Sequence, residues 1–205
     1  KEACSAVTKL KLARDSKQII VDAVELMDRA GLKSIEQDPA MPEYIKDFGD
    51  EVTALLIETR AINDEQLNIQ IAQIEELLKE FNVVRDIYFT KDEYEYTLYW
   101  KIRKGLFPAV GAVRVTGTTV IIEDVAYPIE CLAEATLELQ DLFKKYGYSE
   151  ALIFGHALEG NFHFVFTQDF SDAKEVKRYD DLMNEVVNSV AVKYEGSLKA
   201  EHGTG

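Results

Sequence analysis

Hydrophobic positions recur with helical spacing in several parts of the chain. Between residues 64 and 81 the apolar side chains are three and four positions apart, which predicts an amphipathic helix that begins at Asn63 or Asp64. The same spacing, with capping signals at its ends, predicts three more helices. They run from about residue 93 to 103, from about 128 to 146, and from about 173 to 193.

Short segments rich in β-branched and aromatic residues alternate with these helices and predict strands. The segments lie near residues 17–25, 51–58, 83–89, 118–127, 151–156 and 162–168. Hairpin-type connections and helices grouped between strands favour an α+β sandwich of ferredoxin-like type. We expect its sheet to be antiparallel or mixed, with helices mainly on one face.

Composition and charge limit the classes of function. Residues 1–205 are 47% hydrophobic, which fits a single compact domain. A net charge of −14 argues against nucleic acid as a partner, and it means that a small organic anion would need a local positive site. The two cysteines form no Cys-x-x-Cys pair, as expected for a cytoplasmic protein. No signal peptide or membrane span is predicted.

All three histidines lie in the last fifty residues, two of them beside a predicted hairpin. Apolar runs at 151–154 and 162–166 flank Gly160 and Asn161, a typical hairpin turn. If His156 pairs with His163, strand alternation places both imidazoles on one face with Cβ atoms about 5 Å apart. The pair could then bind one metal ion, although a histidine beside a glycine is often only hydrogen-bonded within a turn.

A catalytic zinc site needs about three protein ligands, so two histidines are not enough. Glu201 and His202 are candidates of the right chemical type, in a glycine-containing segment after the last predicted helix. Sequence spacing does not show whether this segment reaches the hairpin. Asp124, at a predicted strand end, is a further candidate for the same face, but a carboxylate in that position is usually solvated.

Nothing in the chain matches a known cradle for a nucleotide cofactor. The sequence has no Gly-x-Gly-x-x-Gly fingerprint after a strand and no Walker-type phosphate loop. Residues that would bind such a cofactor are therefore not identified from these motifs.

Several motifs together resemble the C-terminal, substrate-side domain of FAD-linked oxidases of the D-lactate dehydrogenase, glycolate oxidase and D-2-hydroxyglutarate dehydrogenase group. The matching stretches follow the family's order and cover residues 24–30, 100–112, 122–128, 155–163 and 197–205. One departure concerns the hairpin. The family reads Gly-Asp-Gly-Asn where residues 158–161 are Leu-Glu-Gly-Asn, which leaves the course of this turn open.

The resemblance implies a role for each matching residue. His156, His163 and Glu201 would bind a divalent metal, zinc or manganese, and His202 would be the general base. Arg103 would bind the substrate carboxylate. Without the resemblance, Arg103 is best interpreted as a surface arginine on a helix.

The resemblance also implies that FAD is bound mainly by a separate N-terminal domain. We therefore expect the chain to be a fragment of a longer enzyme, inactive alone. Residues 197–205 are most similar to the long bacterial members, which carry an iron-sulfur module elsewhere. The implied reaction oxidises a small D-2-hydroxy acid to the 2-oxo acid, with metal-assisted deprotonation of the hydroxyl and hydride transfer to flavin. A self-sufficient metal-dependent hydrolase and a non-catalytic ferredoxin-like binding module remain as alternatives.

Overall fold

The fold alternates helices with the strands of one sheet. The structure, a computed structural model, describes residues 1–201 except for the side chain of Val113. The strands are β1 (Ala23–Met27), β2 (Ala54–Glu58), β3 (Thr119–Ala126), β4 (Leu152–His156) and β5 (Asn161–Gln168). The helices are α1 (Glu2–Asp15), α2 (Arg29–Ile35), α3 (Asp64–Leu78), α4 (Glu93–Val113), α5 (Leu132–Lys145) and α6 (Ala173–Val187). Short 3₁₀ helices lie at Glu43–Asp47, Ile129–Cys131 and Ala157–Glu159, and a π-helical segment, Asn188–Lys193, follows α6.

The five strands form one sheet in the order β2-β1-β4-β5-β3, and every neighbouring pair is antiparallel. Side chains of β5 alternate between its two faces, so Phe162, Phe164 and Phe166 enter a large core with residues of α1, α3, α5 and α6. A smaller core on the opposite face joins α2 and α4 to Phe154 and Val165. The prediction of an α+β, ferredoxin-like sandwich with helices mainly on one face is confirmed.

The first strand is tied to the rest of the sheet by Asp28, which follows it directly. The side chain of Asp28 accepts hydrogen bonds from the backbone N–H groups of Gly31, at 2.8 Å, and Ile153, at 3.0 Å. The first bond caps α2, and the second connects that cap to β4. This buried carboxylate therefore holds β1, α2 and β4 in a fixed arrangement.

Some predicted elements differ from the structure. The segment 83–89 is not a strand, and its residues Val83, Val84 and Tyr88 are more than half exposed. An isolated apolar run forms a strand only where a neighbouring strand completes its hydrogen bonds, and the described partner of β2 is β1. Helix α4 continues past Pro108 to Val113, and its residues Ala109 and Val110, beyond the proline, pack against the smaller core. Among the described residues, no helix has the length and apolarity needed to cross a bilayer.

Candidate metal and substrate site

The hairpin of β4 and β5 brings two histidines together in a register different from the one predicted. His163 lies opposite Phe154, and His156 lies two residues further along β4. The turn Ala157–Glu159 ends at Gly160, which has the left-handed φ of 69°. The predicted cross-strand pairing is therefore wrong. The shared face is observed, because the two imidazole rings have centroids 5.6 Å apart.

The register depends on a close backbone contact at Gly155. A Cβ atom at this position would lie 2.5 Å from the carbonyl oxygen of Asn161 and 2.9 Å from the Cα of Phe162. Only a residue without a side chain allows this approach. The two strands consequently run close together at the point where the side chains of both histidines project from the sheet.

Glu201 reaches the same place from the end of the described chain. Backbone hydrogen bonds between Ser197 and Ala126, of 2.8 and 2.9 Å, attach this segment to the end of β3. The Oε2 atom of Glu201 then lies 3.1 Å from Nε2 of His156 and 3.4 Å from Nε2 of His163. One atom from each of these three residues could serve as a metal ligand, and the three atoms lie within 4.8 Å of one another.

Each imidazole is oriented by a buried carboxylate on its other nitrogen. Nδ1 of His156 lies 2.6 Å from Oε1 of Glu25, and Nδ1 of His163 lies 2.5 Å from Oδ1 of Asp124. A carboxylate that accepts the Nδ1–H leaves the Nε2 lone pair for a metal, as in many metal sites with histidine ligands. Asp124 also accepts a hydrogen bond of 2.8 Å from the backbone N–H of Glu201.

Two imidazole nitrogens and one carboxylate oxygen form a donor set that fits a divalent ion such as zinc or manganese. The expectation that Asp124 is solvated is wrong, since this residue is only 2% exposed. The site also includes Glu25, which the sequence analysis missed. The only sequence feature that could have indicated Glu25 is the position of an acidic residue between apolar neighbours in a predicted strand.

The carboxylate of Glu25 is buried but charged. Burial alone would raise its pKa, but the hydrogen bond from His156 and the charge of Arg103 outweigh this and hold the pKa of Glu25 below its ordinary value. The same hydrogen bond holds the pKa of His156 above its ordinary value, although partial burial opposes this. His156 and Arg103 therefore both favour the charged form of Glu25.

Arg103 is part of this network and not a surface residue. It lies on α4, is only 8% exposed, and donates from Nε to Oε2 of Glu25 at 2.6 Å. Its guanidinium lies over the ring of Phe154, 4.6 Å from the ring centroid. Within residues 1–201 the terminal nitrogens of Arg103 make no hydrogen bond to the protein. They remain able to bind an anion beside the three candidate ligands.

His202, the candidate general base, lies outside the described residues. Its assignment therefore stays a prediction. It directly follows Glu201 in the chain, and Glu201 is in contact with both histidines.

The fold and the sequence define the C-terminal domain of an FAD-linked oxidase. The chain belongs to the family described as FAD linked oxidases, C-terminal domain, whose sequence profile matches residues 1–205.

Curated relatives are similar over parts of the chain. The glycolate oxidase subunit GlcD of Bacillus subtilis is 31% identical over 97 residues, which is 47% of this chain and 20% of that protein. GlcD of Escherichia coli K12 is 29% identical over 120 residues, 58% of this chain and 23% of that protein. The probable mitochondrial D-lactate dehydrogenase of Danio rerio is 29% identical over 137 residues, 66% of this chain and 27% of that protein. The matches thus span about a quarter of these relatives.

Solved structures share the fold. An alkyldihydroxyacetonephosphate synthase superposes with a TM-score of 0.58 at 16% identity, over 95% of this chain and 38% of that chain. The 4-ethylphenol oxidase of Gulosibacter chungangensis superposes with a TM-score of 0.51 at 14% identity, over 86% of this chain and 38% of that chain. At these identities the likeness concerns the fold alone.

Proposed function

We propose that this chain is the substrate- and metal-binding domain of an FAD-dependent dehydrogenase that oxidises a D-2-hydroxy acid of D-lactate or D-2-hydroxyglutarate type to the 2-oxo acid. The observation that carries the proposal is the convergence of His156, His163 and Glu201 beside the buried cation Arg103. A 2-hydroxy acid has a hydroxyl and a carboxylate on adjacent carbons. Its binding site therefore needs a metal site for the hydroxyl and a cation for the carboxylate within a few ångströms of each other. The names of the relatives, glycolate oxidase and D-lactate dehydrogenase, agree with this substrate class.

The two oxidising equivalents come from FAD, which we assign to an N-terminal domain of the same polypeptide. This agrees with the small share of each relative that the chain matches. In the proposed reaction the substrate hydroxyl would lose a proton, and the carbon that bears it would lose a hydride, for which FAD would be the acceptor. The C–O bond would thereby become a carbonyl. An iron-sulfur module in the complete protein and a cytoplasmic location remain predictions.

The residues of this chain bind and orient the substrate. A divalent metal bound by His156, His163 and Glu201 would supply Lewis acidity that lowers the pKa of the substrate hydroxyl. Arg103 binds the carboxylate with its terminal nitrogens in a planar two-pronged contact. In this proposal His202 accepts the hydroxyl proton. A well-placed base of this kind contributes about 10²- to 10⁴-fold in rate.

Flavin reduction in the complete enzyme tests the proposal directly. We expect D-lactate, glycolate or D-2-hydroxyglutarate to bleach the flavin absorbance, and we expect L-lactate and L-2-hydroxyglutarate to react at least about tenfold more slowly. Metal analysis of the same preparation should find zinc or manganese. A flavin that stays oxidised with every member of this panel, in an enzyme that retains its metal, would contradict the proposed reaction.

Arg103→Lys should weaken substrate binding while keeping the positive charge. A hydrogen bond to a charged group contributes about 1.5–3 kcal/mol, so loss of the two-pronged contact should raise KM for the hydroxy acid about 10- to 100-fold. Steady-state kinetics of the complete enzyme measures this change. Arg114→Lys, at the exposed end of α4, is the matched control and should leave KM within threefold. A parent KM in Arg103→Lys would exclude the assigned role.

A further inference from the structure

Glu25 contacts both halves of the proposed site. Its Oε1 atom is 2.6 Å from Nδ1 of His156, and its Oε2 atom is 2.6 Å from Nε of Arg103. Its side chain is only 3% exposed, so water competes little for either contact. A single buried carboxylate thus joins a candidate metal ligand to the candidate substrate-binding cation.

The position of Glu25 is set by the sheet. It lies in β1, where its backbone pairs with His156 of β4 on one side and with Leu56 of β2 on the other. A residue held on both sides by strand pairing has little freedom to shift. Its two partners come from different elements, the hairpin and α4, so their relative placement depends on this carboxylate.

We propose that Glu25 is a positioning residue that aligns Arg103, which binds the substrate carboxylate, with His156, which binds the metal. This inference rests on the proposed function and extends it to a residue outside the ligand set. Both partners of Glu25 are donors, and a carboxylate has two oxygens to accept from them. An amide has only one acceptor and presents an NH₂ group to the second donor.

Asp124 provides the comparison within the same chain. Its two oxygens contact His163 and the backbone N–H of Glu201, which both belong to the candidate metal site. If Glu25 and Asp124 merely support metal ligands, the two amide variants should behave alike. If Glu25 also aligns Arg103, its variant should have a second defect, a raised KM for the hydroxy acid.

Glu25→Gln should lower the affinity for Zn²⁺ or Mn²⁺ about 10- to 100-fold, the usual effect of removing a carboxylate that orients a histidine ligand. Competition with a chromophoric chelator measures this affinity without any turnover. With the metal then restored to saturation, the complete enzyme should still show a KM for the hydroxy acid at least tenfold above the parent value. Asp124→Asn should show the same loss of metal affinity, but at saturating metal its KM should rise less than that of Glu25→Gln.

Glu25→Asp separates charge from geometry. This variant keeps the negative charge but is one methylene shorter, so its carboxylate does not reach both partners at 2.6 Å. We expect Glu25→Asp, like Glu25→Gln, to have a lower metal affinity and a raised KM. Thermal unfolding of each variant shows whether it folds. If Glu25→Gln does not fold, Glu25→Asp provides the test.

The outcomes are distinct. Parent values of metal affinity and KM in Glu25→Asp would show that only charge matters and would overturn the proposal. A parent KM in Glu25→Gln at saturating metal would show that Glu25 does not position Arg103, which also overturns it. A parent protein that binds neither Zn²⁺ nor Mn²⁺ would instead contradict the proposed function itself.

Discussion

Glu201→Gln in the complete enzyme is expected to abolish metal retention and to lower the rate of flavin reduction at least about a hundredfold. The amide has the same shape as the carboxylate but lacks the charge that balances a divalent ion. A bound metal contributes several kcal/mol to the stabilisation of charge, and each 1.36 kcal/mol changes the rate about tenfold. The side chain of Glu201 is 55% exposed, so its replacement should change the free energy of unfolding by less than about 0.5 kcal/mol.

His163→Ala is expected to lose the metal in the same way, but it should also destabilise the fold. His163 is buried and packs against Phe154, so truncation leaves a cavity and removes one hydrogen-bond partner of Asp124. Glu159→Gln is the matched control for both variants. Its carboxylate lies in the hairpin turn and pairs with Arg14 at 2.8 Å.

Elemental analysis and stopped-flow flavin reduction measure these effects. The control should keep the metal and the parent rate. Full metal content together with the parent rate in Glu201→Gln would remove this residue from the ligand set.

Local patterns predicted the part of the site that depends on neighbours in sequence. Turn residues and strand alternation placed His156 and His163 on one face, because both are features of a single hairpin. The predicted register was wrong, since the register depends on the backbone contact between Gly155 and Asn161. Periodicity alone does not distinguish one register from the next.

The supporting carboxylates required tertiary structure. Glu25 is 131 residues from His156 in sequence, and Asp124 is 39 residues from His163. A lone acidic residue in an apolar strand does not indicate its partner. Arg103 was assigned to the substrate through the family resemblance, and its burial follows from the packing of α4 on the sheet, which composition does not reveal.

In the fold, too, elements with a strong local pattern were predicted, and elements that depend on tertiary contacts were not. The long amphipathic helices α3, α5 and α6 have strong periodicity and were predicted near their observed bounds. Helix α2 has only seven residues and depends on the cap provided by Asp28 and on its packing in the smaller core. Isolated helices of that length are not stable in water, so their sequence signal is weak. The apolar segment 83–89 has strand propensity but no described strand partner.

Gly155→Ala is expected to destabilise the hairpin strongly. The new Cβ would lie 2.5 Å from the oxygen of Asn161, 2.9 Å from the Cα of Phe162 and 3.2 Å from the backbone nitrogen of His163. All three atoms belong to the backbone, so no side-chain rotation relieves the contact. The strands must separate, which we expect to lower the free energy of unfolding by about 3 kcal/mol or more.

That separation should also weaken metal binding, because it moves His156 away from His163 while all three candidate ligands are still present. Denaturant unfolding and metal titration of the same sample measure the two effects together. Gly105→Ala in α4 is the matched control, since its new Cβ meets nothing within 4 Å. It should raise the free energy of unfolding by about 0.5–1 kcal/mol. Parent stability and parent metal affinity in Gly155→Ala would show that the site does not need the close approach of β4 to β5.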